Sequence, residues 1–240
     1  LLAIDLQTKE IVWTYKSEVP IDGRAMCMVD GRIYVYSHKN FLARVNAQDG
    51  NVDWKSSDPD LILALGEHDF AQIHTKGFAS TSYVKANASG VYFAGPQRKS
   101  LVAVTPYSGQ VMWTYPHGNY QLVLRDDGLY AMGRTETSKV FEFTTGAVIT
   151  DLECYRGNCT RATGTVDSIF TRGYRHTGTM RLDLSGAQAE TRRIPLMRPA
   201  CQDGVIVSNG QLYFGPWMCD CNHSLVGIIS LGPAGDFNFE

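Results

Sequence analysis

Apolar residues along this chain fall into short runs set off by turn residues. Ile33-Tyr34-Val35-Tyr36, Val91-Tyr92-Phe93-Ala94, Leu129-Tyr130-Ala131-Met132 and Leu212-Tyr213-Phe214 each follow a Gly turn: Asp30-Gly31, Ser89-Gly90, Asp127-Gly128 and Asn209-Gly210. Asp-Gly and Asn-Gly between apolar runs are strong local hairpin signals, so these runs predict strands. No window longer than a turn has helical period, except Asp58 to Phe70, where Leu61, Leu65 and His68 predict a short helix.

A second unit recurs between these hairpins. Leu2-Ala3-Ile4-Asp5 leads through a turn to Ile11-Val12-Trp13, Leu42-Ala43-Arg44-Val45-Asn46 to Val52-Asp53-Trp54, and Val102-Ala103-Val104-Thr105 to Val111-Met112-Trp113. Weaker copies without Trp stand at Val140 to Ile149 and at Met180 to Gln188. Trp13 and Trp54 are 41 residues apart and Trp54 and Trp113 are 59 apart, which predicts an insertion at about 58–78. Four short strands per repeat of about 40 residues is the pattern of a β-propeller blade. One blade is expected at Arg24–Val29, Arg32–Tyr36, Phe41–Asn46 and Asn51–Trp54. The next is expected at Thr81–Ala86, Val91–Ala94, Leu101–Thr105 and Gln110–Tyr115, and a third from about Gln121 to Gly146. The fourth, about Thr163 to Arg193, is expected to have a degenerate second strand. The fold class predicted is all-β: a β-propeller of four-stranded antiparallel blades. Residues 1–240 form one propeller domain or fragment, with four full blades and partial ones at both ends, from a seven- or eight-bladed parent. A β-sandwich or meander is the plainer alternative.

Composition narrows the function. Lys and Arg number 22 against 24 Asp and Glu, so no polybasic groove for nucleic acid arises from bulk charge. No apolar stretch is long enough for a membrane-spanning helix. The chain opens on Leu1-Leu2-Ala3-Ile4-Asp5 without a visible signal peptide, and is read as a piece of something longer.

The hairpin unit resembles the repeat of pyrroloquinoline-quinone-type propellers, in which a strand "A-x-D", a Thr-Gly turn and a closing Trp recur. The resemblance implies that Trp13, Trp54 and Trp113 dock between blades and that Gly50, Gly109, Gly146 and Gly186 are turn glycines, with Lys9 departing from the pattern. The same repeat serves quinone-dependent alcohol dehydrogenases and a non-catalytic outer-membrane assembly scaffold. The C-terminal third is similar to a narrower group, the cysteine-bearing exported propeller proteins of planctomycete-like bacteria. That likeness rests on Cys159-Thr160-Arg161-Ala162-Thr163, Arg198-Pro199-Ala200-Cys201 and Cys219-Asp220-Cys221. Both resemblances imply an extracytoplasmic setting, periplasmic or at the cell surface.

Five of the six cysteines, Cys154, Cys159, Cys201, Cys219 and Cys221, lie within 68 residues, and in an exported protein they read first as disulfide candidates. Cys159 with Cys201 is a plausible bridge between neighbouring repeats, and Cys27 reads as a buried apolar thiol. The competing reading is a metal site: Cys219, Cys221 and His223 alternate, so a strand would present all three on one face. Quinone catalysis would need pyrroloquinoline quinone with calcium, and Asp167, Asp183, Asp203 and Asp220 are the carboxylates at hand. A Ser-His-Asp arrangement stays open among six scattered histidines. Arg161, Arg172, Arg175, Arg181, Arg192, Arg193 and Arg198 are expected either to line one basic mouth or to lie as separate solvated strand ends.

The function expected is an extracytoplasmic scaffold that binds a protein or polysaccharide, with no catalysis or cofactor assigned. Further domains of a parent chain are expected beside it. The alternatives are a quinone-dependent dehydrogenase, or a polysaccharide-degrading enzyme using Glu67, His68, Asp69 and His74 of the insertion.

Overall fold

The computed structural model describes residues 1–23, 25–66, 83–96, 98–157, 160–176, 178–195, 197–200, 203–216 and 227–232. Strands dominate them. A hairpin of β1 (Leu2–Ile4) and β2 (Ile11–Thr14) comes first. Four four-stranded sheets follow, each with its strands in chain order. The first holds β3 (Met26–Val29), β4 (Arg32–Ser37), β5 (Phe41–Asn46) and β6 (Val52–Ser56). The second holds β7 (Tyr83–Ala86), β8 (Val91–Ala94), β9 (Leu101–Val104) and β10 (Val111–Tyr115). The third holds β11 (Tyr120–Arg125), β12 (Gly128–Gly133), β13 (Lys139–Phe141) and β14 (Val148–Asp151). The fourth holds β15 (Thr163–Gly164), β16 (Ser168–Arg172), β17 (Thr179–Asp183) and β18 (Glu190–Ile194). A three-stranded sheet of β19 (Val205–Ser208), β20 (Gln211–Phe214) and β21 (Ile229–Leu231) closes the described chain. These meanders are propeller blades, and the fold is an all-β propeller fold.

The chain divides into two compact units, Leu1–Leu129 with Val140–Thr150, and Tyr130–Lys139 with Asp151–Glu240. In the first, β3 packs beside β7, and β7 beside β11. The face between the first two sheets is filled by Tyr34, Tyr36, Leu42, Val91, Phe93, Val102 and Val104. A second core of Val35, Phe41, Ala43 and Val45 covers the other face of the first sheet, with Leu1, Val19 and Ile21 against it. In the second unit Phe170, Val205 and Phe214 pack together in a core, with β15 beside β19.

Middle strands are buried on both faces, and that explains their continuous apolar runs: β8, β9, β12 and β16 have no exposed residue. The last strands, β14 and β18, are nearly all exposed. One strand corrects the sequence expectation. The second strand of the fourth repeat is not degenerate: β16 pairs with β17 across five positions, from Ser168↔Asp183 to Arg172↔Thr179. It was hidden because Val166-Asp167 replaces the Gly turn that marks the other copies.

The insertion does begin as a helix, α1 (Pro59–Leu65), with Asp58 as N-cap accepting from the N–H of Asp60 and Leu61 and Pro59 in the first turn. It buries Leu61 and Leu65 in the core of the first unit and stops at Gly66, φ +95°. The third residue of the predicted face, His68, lies outside the described residues, as do Glu67, Asp69 and His74.

Candidate functional site

Each repeat turn is pinned by the side chain at the recurrent Asp position. Asp5 Oδ1 accepts from the N–H of Gln7 and Thr8 at 2.8 Å each. Asn46 Oδ1 accepts from Gln48 N–H at 2.9 Å, and Thr105 Oγ1 from Tyr107 N–H at 3.2 Å. Glu142 Oε2 accepts from the N–H and hydroxyl of both Thr144 and Thr145 at 2.6–2.9 Å. Asp183 Oδ1 accepts from Ser185 Oγ at 2.6 Å and Ser185 N–H at 3.1 Å. These donors favour the ionised carboxylate. The Thr145 hydroxyl, then the backbone N–H groups and Thr144, hold Glu142 down to about 2. Thr8 and Gln7 lower Asp5, and Ser185 lowers Asp183.

Four residues after the pinning side chain the backbone turns left-handed, at Lys9 (φ 63°), Gly50 (75°), Gly109 (74°) and Gly146 (71°). Glycine is favoured there for a second reason, the approach of an indole. A Cβ on Gly50 would stand 2.7 Å from the Trp13 ring, one on Gly109 2.8 Å from Trp54, and one on Gly146 2.5 Å from Trp113. Each indole N–H donates to a carbonyl of the same turn: Trp13 to Ala47 at 2.9 Å, Trp54 to Pro106 at 3.1 Å, and Trp113 to Phe143 at 2.9 Å. Tyr34 and Tyr92, one from each neighbouring hairpin, donate to the Pro106 and Phe143 carbonyls at 3.4 and 3.3 Å. Each tryptophan therefore bridges one blade to the turn of the next. Gly186 does not share this role. It stands three residues after Asp183 rather than four, has no left-handed backbone and meets no indole.

The opposite strand ends of the first unit are built differently. There α1 sits on the connection that follows β6. The Arg98 guanidinium lies 5.5 Å from the ring centres of both Tyr36 and Phe93 and donates to the Leu65 carbonyl at the end of α1. Tyr36 Oη and His38 Nδ1 share a 3.3 Å hydrogen bond. Gly95 N–H donates to Gly118 O at 2.8 Å and Leu101 N–H to His117 O at 3.0 Å, which fixes the β8–β9 and β10–β11 connections against one another. Lys39 and His117 are exposed, and Leu63 is 66% exposed on the outer face of α1. Motif reading missed this cluster because its members come from four separate connections with no shared spacing.

Among the remaining candidates, the seven arginines do not form one mouth. Arg172 and Arg198 are buried, while Arg161, Arg175, Arg192 and Arg193 are exposed. Arg181 bridges Asp183 at 3.4 Å and Asp167 at 3.7 Å, and Arg192 bridges Glu190 at 3.5 Å and Asp183 at 3.7 Å, a cross-strand charge ladder on β17 and β18. Asp167 and Asp183 are thus engaged locally; Asp203 is exposed in a turn, and Asp220 lies outside the described residues. Cys27 and Cys154 are free thiols, and burial pushes Cys27 up to about 12 and Cys154 upward as well. Cys159, Cys201, Cys219, Cys221 and His223 lie outside the described residues, and with them the proposed bridges and the Cys-x-Cys-x-His site. Among the described residues no three His, Cys, Asp or Glu side chains are grouped to hold a metal, and no helix is long and apolar enough to cross a membrane.

The sequence profile of the family described as outer membrane protein assembly factor BamB matches residues 1–148. The chain belongs to that family. The matched span contains all three tryptophan locks and the four left-handed turns. BamB from Moraxella catarrhalis has a similar structure, at a TM-score of 0.62 and 13% identity, covering 92% of this chain and 61% of that one. The present chain therefore spans less than two thirds of that protein's length. The computationally designed Ika8 protein is similar at a TM-score of 0.51 and 10% identity, covering 83% of this chain and 56% of that one. No curated protein matches.

Proposed function

We propose that the chain is part of a non-catalytic extracytoplasmic scaffold that binds a protein partner through the strand ends around α1. The carrying observation is the asymmetry of the first unit. At the repeat-turn end, side chains and carbonyls are used in pinning turns and seating indoles. The α1 end is held rigid from beneath by Arg98, Tyr36 and Phe93, and presents Lys39, Leu63 and His117 outward. Variable connections on a rigid frame are where binding residues concentrate. The family is named for outer-membrane protein assembly, which supports an extracytoplasmic setting and a protein rather than a polysaccharide as partner. The cysteine-rich likeness to exported propeller proteins of planctomycete-like bacteria points to the same compartment. Further domains would belong to the remainder of a longer parent.

Cross-linking of the purified chain in a bacterial envelope extract tests this reading. Cross-links should map to Lys39 and its neighbours on the α1 end. A Lys39→Glu, Leu63→Ser, His117→Ala triple variant should lose the captured protein while keeping its unfolding midpoint. A Tyr107→Ser variant, on the exposed tip of a repeat turn, should retain it. Capture unchanged in the triple variant, or cross-links confined to the repeat turns, would remove the α1 end from the proposal; a hit on a glycan array without any protein cross-link would replace the partner class.

A further inference from the structure

The second unit buries three arginines, Arg156, Arg172 and Arg198, each at 1% exposure. Strand ends bring their backbones together. Gly157 N–H donates to the Arg172 carbonyl at 2.7 Å, and a β-bridge pairs Arg156 with Gly173. Arg172 stands opposite Thr179, whose hydroxyl donates at 2.7 Å to Met197, the residue before Arg198. Arg156 has acceptors: its Nε donates to Met132 O at 2.8 Å and a terminal nitrogen to Gly157 O at 3.0 Å. Arg172 differs. Its Nε and both terminal nitrogens are closed to solvent and meet no acceptor among the described residues. Its stem is packed so closely on Gly157 that a Cβ there would stand 3.0 Å from the Arg172 Cγ.

A guanidinium does not shed its proton at any physiological pH, so Arg172 cannot escape burial by neutralising. A buried charge needs a partner of opposite sign and acceptors for its N–H groups. Among the described residues no ion pair to Arg172 is formed, and the residue that precedes Gly157 is a second buried cation, Arg156. We infer that Arg172 is the principal donor of an oxyanion site, holding one small phosphate or carboxylate group beside Arg156. The forked guanidinium matches the paired oxygens of either group. Because its nitrogens are closed to solvent, the anion is enclosed as the strand ends of β16 and β17 come together, and its binding is coupled to folding.

Urea unfolding and refolding of the whole chain tests this, in sodium phosphate, sodium succinate and sodium chloride at matched ionic strength. In the anion that fits, the unfolding equilibrium constant should fall about tenfold for each tenfold rise in concentration above the dissociation constant. Arg172→Met, which keeps the stem and removes the charge, should abolish that dependence. Phosphate alone acting identifies an inorganic or ester phosphate; succinate alone acting identifies a carboxylate. Should Arg172→Met fail to fold, native mass spectrometry of the wild-type chain refolded in each salt decides the matter by a retained adduct of one anion. Equal midpoints in all three salts, with no retained adduct, would overturn the site and leave Arg172 a structural residue.

Discussion

A single oxygen of Glu142 accepts four hydrogen bonds, two from backbone and two from hydroxyls, and they hold the carboxyl at about 2, below its ordinary 4.5. The folded value is depressed, so this group's contribution to stability is fully present above the unfolded value and is lost as pH falls through the folded one. The expected acid limb from Glu142 therefore lies between about pH 4.5 and about 2. Glu142→Gln, which keeps one acceptor oxygen but no charge, should flatten that limb of the urea midpoint plotted against pH and leave the neutral-pH slope alone. An unchanged limb would mean that the threonines bond equally well to a neutral side chain. The same residues show how far sequence carries at this scale. The recurrent acidic position was legible as a pattern at Asp5 and Asp183, but its role was not. An acidic side chain before a turn reads alike whether it will ligate an ion or bond its own backbone two residues on. The substitutions Asn46, Thr105 and Glu142 favour the second role, since each retains an acceptor oxygen but they do not retain one charge or length.

At the scale of the element, the unit of stability is the tryptophan with the turn it sits on. Trp54 donates to Pro106 O, and its ring stands 2.8 Å from where a Gly109 Cβ would be, so Gly109 is held both by φ +74° and by the indole. Gly109→Ala should cost about 1–3 kcal/mol from the left-handed backbone alone, with the ring contact adding to it. Trp54→Ala should cost about 3–5 kcal/mol. The two must be non-additive, because removing the ring removes the clash. In the Trp54→Ala background the Gly109→Ala cost should shrink to the backbone part, by urea denaturation of all four members of the cycle. Strict additivity would show that the indole moves aside at no cost. Strand positions in these elements were legible to within two residues for the first two sheets, because Gly turns bracket each run. The fourth sheet was less so: β16 begins after Asp167 without a glycine, and Gly186 sits one residue short of the lock position.

At the scale of the molecule, tryptophan locks are unevenly placed. All three belong to the first unit, which also holds two extended apolar cores. The second unit has no tryptophan among its described residues, and buries the Arg172 guanidinium with no acceptor among them. In the sequence this imbalance was visible as the loss of Trp from the last two copies, where Val148 and Ala189 stand near its place. Both are exposed in the structure, so neither takes over the packing of a tryptophan. Burial and satisfied hydrogen bonds set the free energy of local opening, and such units open separately when they differ. Native-state hydrogen exchange should therefore find the amides of β16 and β17 less protected than those of β4, β5, β8 and β9, although all six strands are mostly buried. If the Arg172 site takes an oxyanion, saturating amounts of that anion should raise protection in β16 and β17 and leave the first unit unchanged. Uniform protection across both units in its absence would mean that the chain opens as one cooperative body, and that the locks stabilise strands well beyond the blades they join.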